Sequence, residues 1–271
     1  MTTSLDAESI ENAVKQTAGA WLENLEVFAE IDSTNSYLMQ AATPASGKAL
    51  VAVANKQTAG RGRHGKAWDS PPGSGVLLSI AYSFSPSPAN LPALTLALGL
   101  AAIDALEALG AEGVQLKWPN DLVADDGKLG GILTEVRQQS NKGATVVAGI
   151  GMNIDYEREP DGESGWTSKS ANLKQVLPKL PENETIITQL VEYLLKGFVA
   201  FDESGFEPLS ERWSRYDWLL GRELTVGGTA GQVKGVGAGI GADGALLVES
   251  EMHGMQRITS GSIAHVGDRA S

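Results

Sequence analysis

The sequence predicts an α+β protein: strands and helices up to about residue 218, then a small antiparallel barrel over 219–271. Three observations carry this. "KALVAVANKQ" and "VLLSIAYSF" are nearly continuous apolar runs, the pattern of strands buried on both faces. Leu91 to Leu109 reads as a helix that is apolar almost all round until Asp104 and Glu107, so it belongs in a core. At about residue 220 the chain turns Gly-rich, with short alternating strands and an "ADG" turn.

The elements follow in order. Residues 8–25 read as a short helix, with Ile10, Val14, Ala18 and Leu22 near helical spacing. "EVFAEIDSTNSYLMQAA" gives a strand, a polar turn and a helix capped by Ser33 or Thr34. After "KALVAVANKQ" comes the basic stretch "AGRGRHGKAW", and then "DSPPGSG", through which no helix can run. "VQLKWPND" is a strand stopped by Pro119. "KLGGILTEVR" and "ATVVAGIGMNI" are two strands joined by the polar turn "QQSNKG". Residues 183–215 read as helical with a Gly-containing break near 204.

Composition excludes several classes. The chain has 271 residues, 42% hydrophobic and 20% charged, which suits a globular protein of one large domain or a domain plus a small module. Its net charge of -12 makes it a poor candidate for gripping nucleic acid through a general field. Against that background, Arg61, Arg63, His64 and Lys66 stand out as positive charge concentrated at one Gly-rich place. There is no Cys, which removes disulfides, thiolate metal sites and Cys nucleophiles together. His64, His253 and His265 are scattered, so no metal site of protein ligands alone is expected. The acidic N-terminus does not resemble a signal peptide, and the apolar run from Leu91 to Ile103 reads as too short to span a bilayer. A cytoplasmic protein without a membrane partner is the expectation.

Gly60-x-Gly62-x-x-Gly65 fits the dinucleotide-binding G-x-G-x-x-G pattern, but its context does not. That turn needs a following helix and an acid about 20 residues on. Here prolines and a second strand follow, and no charged residue occurs from Ser70 to Ile103. The same pattern recurs at Gly239-x-Gly241-x-x-Gly244 as hairpin glycine. No P-loop pattern occurs. What remains is a basic surface loop or an anion-binding loop, in which backbone N–H groups and guanidinium forks suit phosphate or carboxylate.

Four other clusters lie at strand ends, each with a bland alternative. "DSTN" offers Ser33, Thr34 and Asn35 to a neutral polar ligand, or is an N-cap. "KWPND" sets Lys117 and Asp121 around a proline, or is a strand end with an ion pair. "GKLGG" places Lys128 beside Gly130 and Gly131, where backbone can approach a ligand, or is a hairpin lysine. "GIGMN" ends on Asn153, whose amide could read a base edge or cap a turn.

Their order is more specific than any one of them. S-T-N, Q-x-x-G-R-G-R-x-G-x-x-W, K-W-P-N-D, K-x-x-G-I-L and G-x-G-x-N, in succession from about residue 27 to 154, strongly resemble the biotin protein ligases. The resemblance implies a mixed β-sheet catalytic domain flanked by helices over 1–218 and a small SH3-like barrel over 219–271. It implies that Ser33, Thr34, Asn35 and Gln57 meet the biotin head group, with Gly130 and Gly131 beside it. Arg61, Gly62 and Arg63 would close over the biotin tail and the adenylate phosphate. Lys128 would contact the biotin carboxylate and the α-phosphate, which makes it, with Arg61 and Arg63, the catalytic set. Lys66, Trp68, Lys117, Asn120, Asp121 and Asn153 would surround the nucleotide, with Asp121 near its magnesium.

The implied substrates are biotin and ATP with Mg2+. The implied partner is the biotin carboxyl carrier domain of an acyl-CoA or pyruvate carboxylase, and a homodimer is left open. The chain departs from the family in two places: His64 stands where an arginine is common, and "IAHV" lacks an arginine that some members carry. Only about 26 residues precede the first catalytic strand, too few for the helix-turn-helix of the repressor members, so the monofunctional type without DNA binding is expected. Two competitors stay open: a lipoate ligase of the same fold, and a non-catalytic biotin or nucleotide sensor on the same scaffold.

Overall fold

Burial follows the apolar pattern of the strands. The uncharged segment Gly75–Phe84 is buried at all ten positions, as a strand with neighbours on both edges and layers on both faces must be. The structure is a computed structural model and describes residues 5–69, 71–140, 143–156, 169–228 and 231–269. The strands are β1 (Leu22–Phe28), β2 (Ala49–Ala54), β3 (Gly75–Phe84), β4 (Gln115–Lys117), β5 (Asp121–Ala124), β6 (Gly127–Ser140) and β7 (Gly143–Asn153). They form a sheet of order β1-β2-β3-β7-β6-β5-β4, in which β1 and β2 are parallel and all other neighbours antiparallel.

The helices are α1 (Ala7–Ala18), α2 (Thr34–Gln40), α3 (Leu94–Ala108), α4 (Leu173–Val176), α5 (Asn183–Ser204) and α6 (Ser210–Trp213). Helices α1, α3 and α5 share the main core with one face of the sheet, including Val76, Leu78, Ile80 and Tyr82 of β3. At Gly197 of α5 an added Cβ would come 2.7 Å from the Ala101 Cβ of α3, so these helices need a residue without a side chain at their crossing. The other face carries α2, packed through Leu38 on Ala52, Ala81 and Val147. That helix has only seven residues, so much of this face is left for a cavity.

Several sequence expectations change. The first helix ends at Ala18, and Leu22 pairs with Ala49 in the sheet. The apolar spacing runs on across the break by coincidence: Ala18 is buried at the end of the helix, and Leu22, half-buried at the start of the strand, packs against the same core. "VQLKWPND" is two short strands, β4 and β5, separated by a turn with a cis Trp118–Pro119 peptide. Leu91–Ala108 does reach the length and hydropathy of a membrane span, against expectation, but 72% of it is buried inside the protein. The turn "QQSNKG" falls partly outside the described residues.

The C-terminal strands β8 (Arg222–Gly228), β9 (Gly231–Ile240), β10 (Leu246–Ser250), β11 (Gly254–Ile258) and β12 (Ser262–Arg269) form an antiparallel sheet of order β11-β10-β9-β8-β12. It is anchored to the larger sheet by Trp118, whose buried indole N–H donates to Gly244 O at 3.1 Å. Leu224, Val226, Leu246 and Val248 join the main core.

Candidate active site

The ends of β2 and β7, the start of β6 and the β4–β5 turn surround a cavity of about 560 Å³ beside α2. Fifteen of the sixteen residues singled out in the sequence line it; Gly130 is the exception. Successive strand residues face opposite sides. Gly131 therefore borders the cavity, whereas a Cβ on Gly130 would meet Gly151 O at 2.7 Å.

At one end the polar groups form a connected network. Ser33 caps α2, accepting from Ser36 N. The Thr34 backbone N–H donates to Gln57 Oε1 at 2.7 Å, which fixes the glutamine amide. Asn35 lies over Gly149, where an added Cβ would be 2.1 Å from Asn35 Oδ1, so only glycine fits beneath the amide. Both Asn35 N–H groups are spent on protein, one on Leu133 O at 3.3 Å and one on Glu135 Oε2 at 2.9 Å.

The loop between β2 and β3 is folded back on itself. Gly62 N donates to Lys66 O at 2.7 Å and Trp68 N to Gly60 O at 2.9 Å. A Cβ on Gly60 would lie 2.2 Å from Trp68 O, so the close approach requires glycine. Trp68 in turn lies on Gly151, whose added Cβ would be 2.5 Å from the indole. This ring is a flat wall of the cavity.

The sequence reading treats Arg61 and Arg63 as one clamp; the structure separates them. Arg61 makes a two-pronged ion pair with Glu135, at 3.1 and 2.8 Å. Arg63 donates to Asn120 Oδ1 at 3.3 Å and to Gly261 O of the C-terminal sheet at 3.2 Å.

Arg63 also feels Asp121, the centre of a cationic cluster. Lys128 Nζ is 2.8 Å from one Asp121 oxygen and Lys117 Nζ is 3.1 Å from the other. Burial alone would raise the Asp121 pKa, but the two lysines outweigh it and hold it at about 2. Burial lowers the pKa of Lys117, and Asp121 opposes that. Burial likewise lowers Arg63. Three cations thus face one carboxylate, a surplus that suits an anionic ligand.

The sequence and the fold both have known relatives. Residues 27–153 match the biotin/lipoate A/B protein ligase family. The chain is 34% identical over 233 residues to the bifunctional ligase/repressor BirA of Escherichia coli (strain K12), spanning 84% of this chain and 70% of that one. The chain belongs to the biotin protein ligase family. Its activity is biotin protein ligation. A biotin–[acetyl-CoA-carboxylase] ligase of Mycobacterium tuberculosis is 38% identical over 168 residues, 59% of this chain and 61% of that one. The biotin protein ligase of Aquifex aeolicus in complex with biotin and ATP superposes with a TM-score of 0.74 at 28% identity, covering 89% and 97% of the two chains. The α+β architecture is that of the biotin protein ligases.

Sequence reasoning missed several residues of this ligase's cavity. Ser79 in mid-strand donates to Asn35 Oδ1 at 2.6 Å. Ser262 and Ile263 of the C-terminal sheet also line the cavity. Glu135 looks like one more polar position of an alternating strand. Only its separation from Arg61, 74 residues closed by the fold, gives it meaning. The donor set does not fit a resident metal ion. Both Asp121 oxygens are engaged by lysines, and no group of three or more His, Asp or Glu that could hold a metal occurs among the described residues.

Proposed function

We propose that biotin binds with its ring at Ser33, Thr34 and Gln57 and its carboxylate directed to Lys128, and that ATP enters as its magnesium complex between Trp68, Asn153 and the Arg63–Lys117–Lys128 cluster. The carboxylate attacks the α-phosphorus to give biotinyl-5'-AMP and pyrophosphate. A lysine of a biotin carboxyl carrier domain then attacks the anhydride carbonyl, forming the amide and releasing AMP. No nucleophile of the enzyme is needed, in keeping with the absence of Cys. The division into a catalytic unit over 1–218 and a barrel unit over 219–271 belongs to the same proposal.

The observation that carries it is the cationic cluster around Asp121. Two like charges about 4 Å apart repel by roughly 4 kcal/mol at an effective dielectric of 20. A carboxylate approaching a phosphate meets this repulsion, and fixed cations on both groups offset it. Holding the reactants in line removes a further share of the barrier, of order 7–11 kcal/mol in well-oriented systems. Asp121 then acts as the counter-ion that keeps buried Lys117 and half-buried Lys128 in place before substrate arrives.

Asn153 supports the nucleotide half of the reading. Its N–H groups donate to Lys128 O at 3.3 Å and Ala171 O at 3.0 Å, while its buried Oδ1 has no partner among the described residues. An adenine amine supplies the missing donor, and a guanine carbonyl does not. The test is pyrophosphate release with biotin and ATP, run beside lipoate and beside GTP. Release that depends on biotin and ATP supports the reading; equal release with lipoate contradicts it.

A further inference from the structure

Glu135 belongs to none of the motifs, yet it joins the two halves of the cavity. Arg61 and Asn35 both donate to its carboxylate, with Asn35 Nδ2 and Arg61 Nη2 meeting the same oxygen at 2.9 and 2.8 Å. The Glu135 side chain is 25% exposed, on the strand face that α2 covers. Its strand neighbours Leu133 and Arg137 also hold this region, through Asn35 Nδ2 and through Leu38 O and Ala42 O.

Hydrogen-bond chemistry gives the arrangement a direction. A guanidinium only donates and a carboxylate only accepts. Asn35 must therefore turn its N–H groups toward Glu135 and its oxygen toward Ser79. Ser79 Oγ lies 2.6 Å from Asn35 Oδ1 and 2.7 Å from Thr34 Oγ1. Its single proton is drawn to the amide oxygen, which has none of its own. The Thr34 oxygen then keeps its lone pairs for a bound N–H.

We propose that Glu135 is a positioning residue for biotin: through Asn35 and Ser79 it holds Thr34 as an acceptor for the N–H groups of the cyclic urea, and through Arg61 it ties the loop to the same unit. This rests on the reading of the cavity as a biotin site. Glu135 touches no reacting atom, so its effect falls on biotin binding and not on the chemical step. A glutamine here has the same shape but adds N–H donors, which face Arg61 or Asn35 donors and allow the Asn35 amide to reverse.

The test compares Glu135→Gln with wild type by calorimetric binding of biotin and of ATP separately, and by steady-state pyrophosphate release. Biotin Kd and KM should rise about tenfold or more, with kcat at saturating biotin and ATP affinity within about threefold of wild type. Unchanged biotin affinity overturns the proposal. So does an equal loss for biotin and ATP, or a loss confined to kcat, because either places Glu135 in general stability or in chemistry. Wild type that binds ATP but not biotin would instead overturn the site reading itself, and this inference with it.

Discussion

The Lys128 ammonium lies 2.8 Å from Asp121 Oδ1, and Lys117 takes the other oxygen of the same buried carboxylate. Lys128 is 30% exposed, whereas Lys117 is 4% exposed. The more accessible lysine is the one able to turn to a ligand. Lys128→Ala should lower adenylate formation by about 10²–10³-fold, as loss of one transition-state donor does. Pyrophosphate release at the wild-type rate would remove Lys128 from its assigned role.

The two loop arginines should separate in function. Arg63 bridges Asn120 and Gly261 beside the cationic cluster, so Arg63→Gly should let the adenylate escape and label bystander lysines. Arg61→Gly should chiefly weaken biotin binding, because its partner is Glu135. Mass spectrometry of a mixture of acceptor and bystander proteins reads both. Bystander labelling by Arg61→Gly and none by Arg63→Gly would reverse the assignment.

Asn153→Ala removes the buried acceptor left open for an adenine amine. It should raise the ATP KM about tenfold and narrow the preference for ATP over GTP. A lower ATP affinity with an unchanged ATP-to-GTP ratio would mean that Asn153 acts only through its bonds to Lys128 O and Ala171 O.

Stability carries its own pH signature. Burial raises the pKa of Asp217 to about 6, against the backbone N–H of Leu219, which donates to its Oδ1 at 2.9 Å. The folded state therefore holds this proton more tightly than the unfolded state, whose pKa is near 3.8. Stability from the neutral form is complete below that value and is lost as pH rises through about 6, at a cost of roughly 2–3 kcal/mol. Asp217→Asn should raise the melting temperature over wild type at pH 8, and the gain should shrink toward pH 4. A gain independent of pH would show that the carboxyl proton is not involved.

Much of this was legible from residue order. The strands from β2 to β7, apart from β5, and the core helix followed from apolar runs, because a sheet covered on both faces leaves little choice of composition. The motif residues reached one cavity because their strand ends do. Three things were hidden. Leu22 kept helical spacing by coincidence across a break. β5 is four residues long and follows a proline turn, too short for its own periodicity. Ser79 and Glu135 are single polar residues in apolar strands, and only register and helix placement put them against Asn35.

The most direct test is mass spectrometry of a biotin carboxyl carrier domain after incubation with this protein, ATP, magnesium and biotin. The account predicts that one lysine of the acceptor gains a biotinyl group, dependent on both ATP and biotin, and that lipoate does not substitute. An acceptor whose mass does not change, or one modified equally well by lipoate, would contradict it.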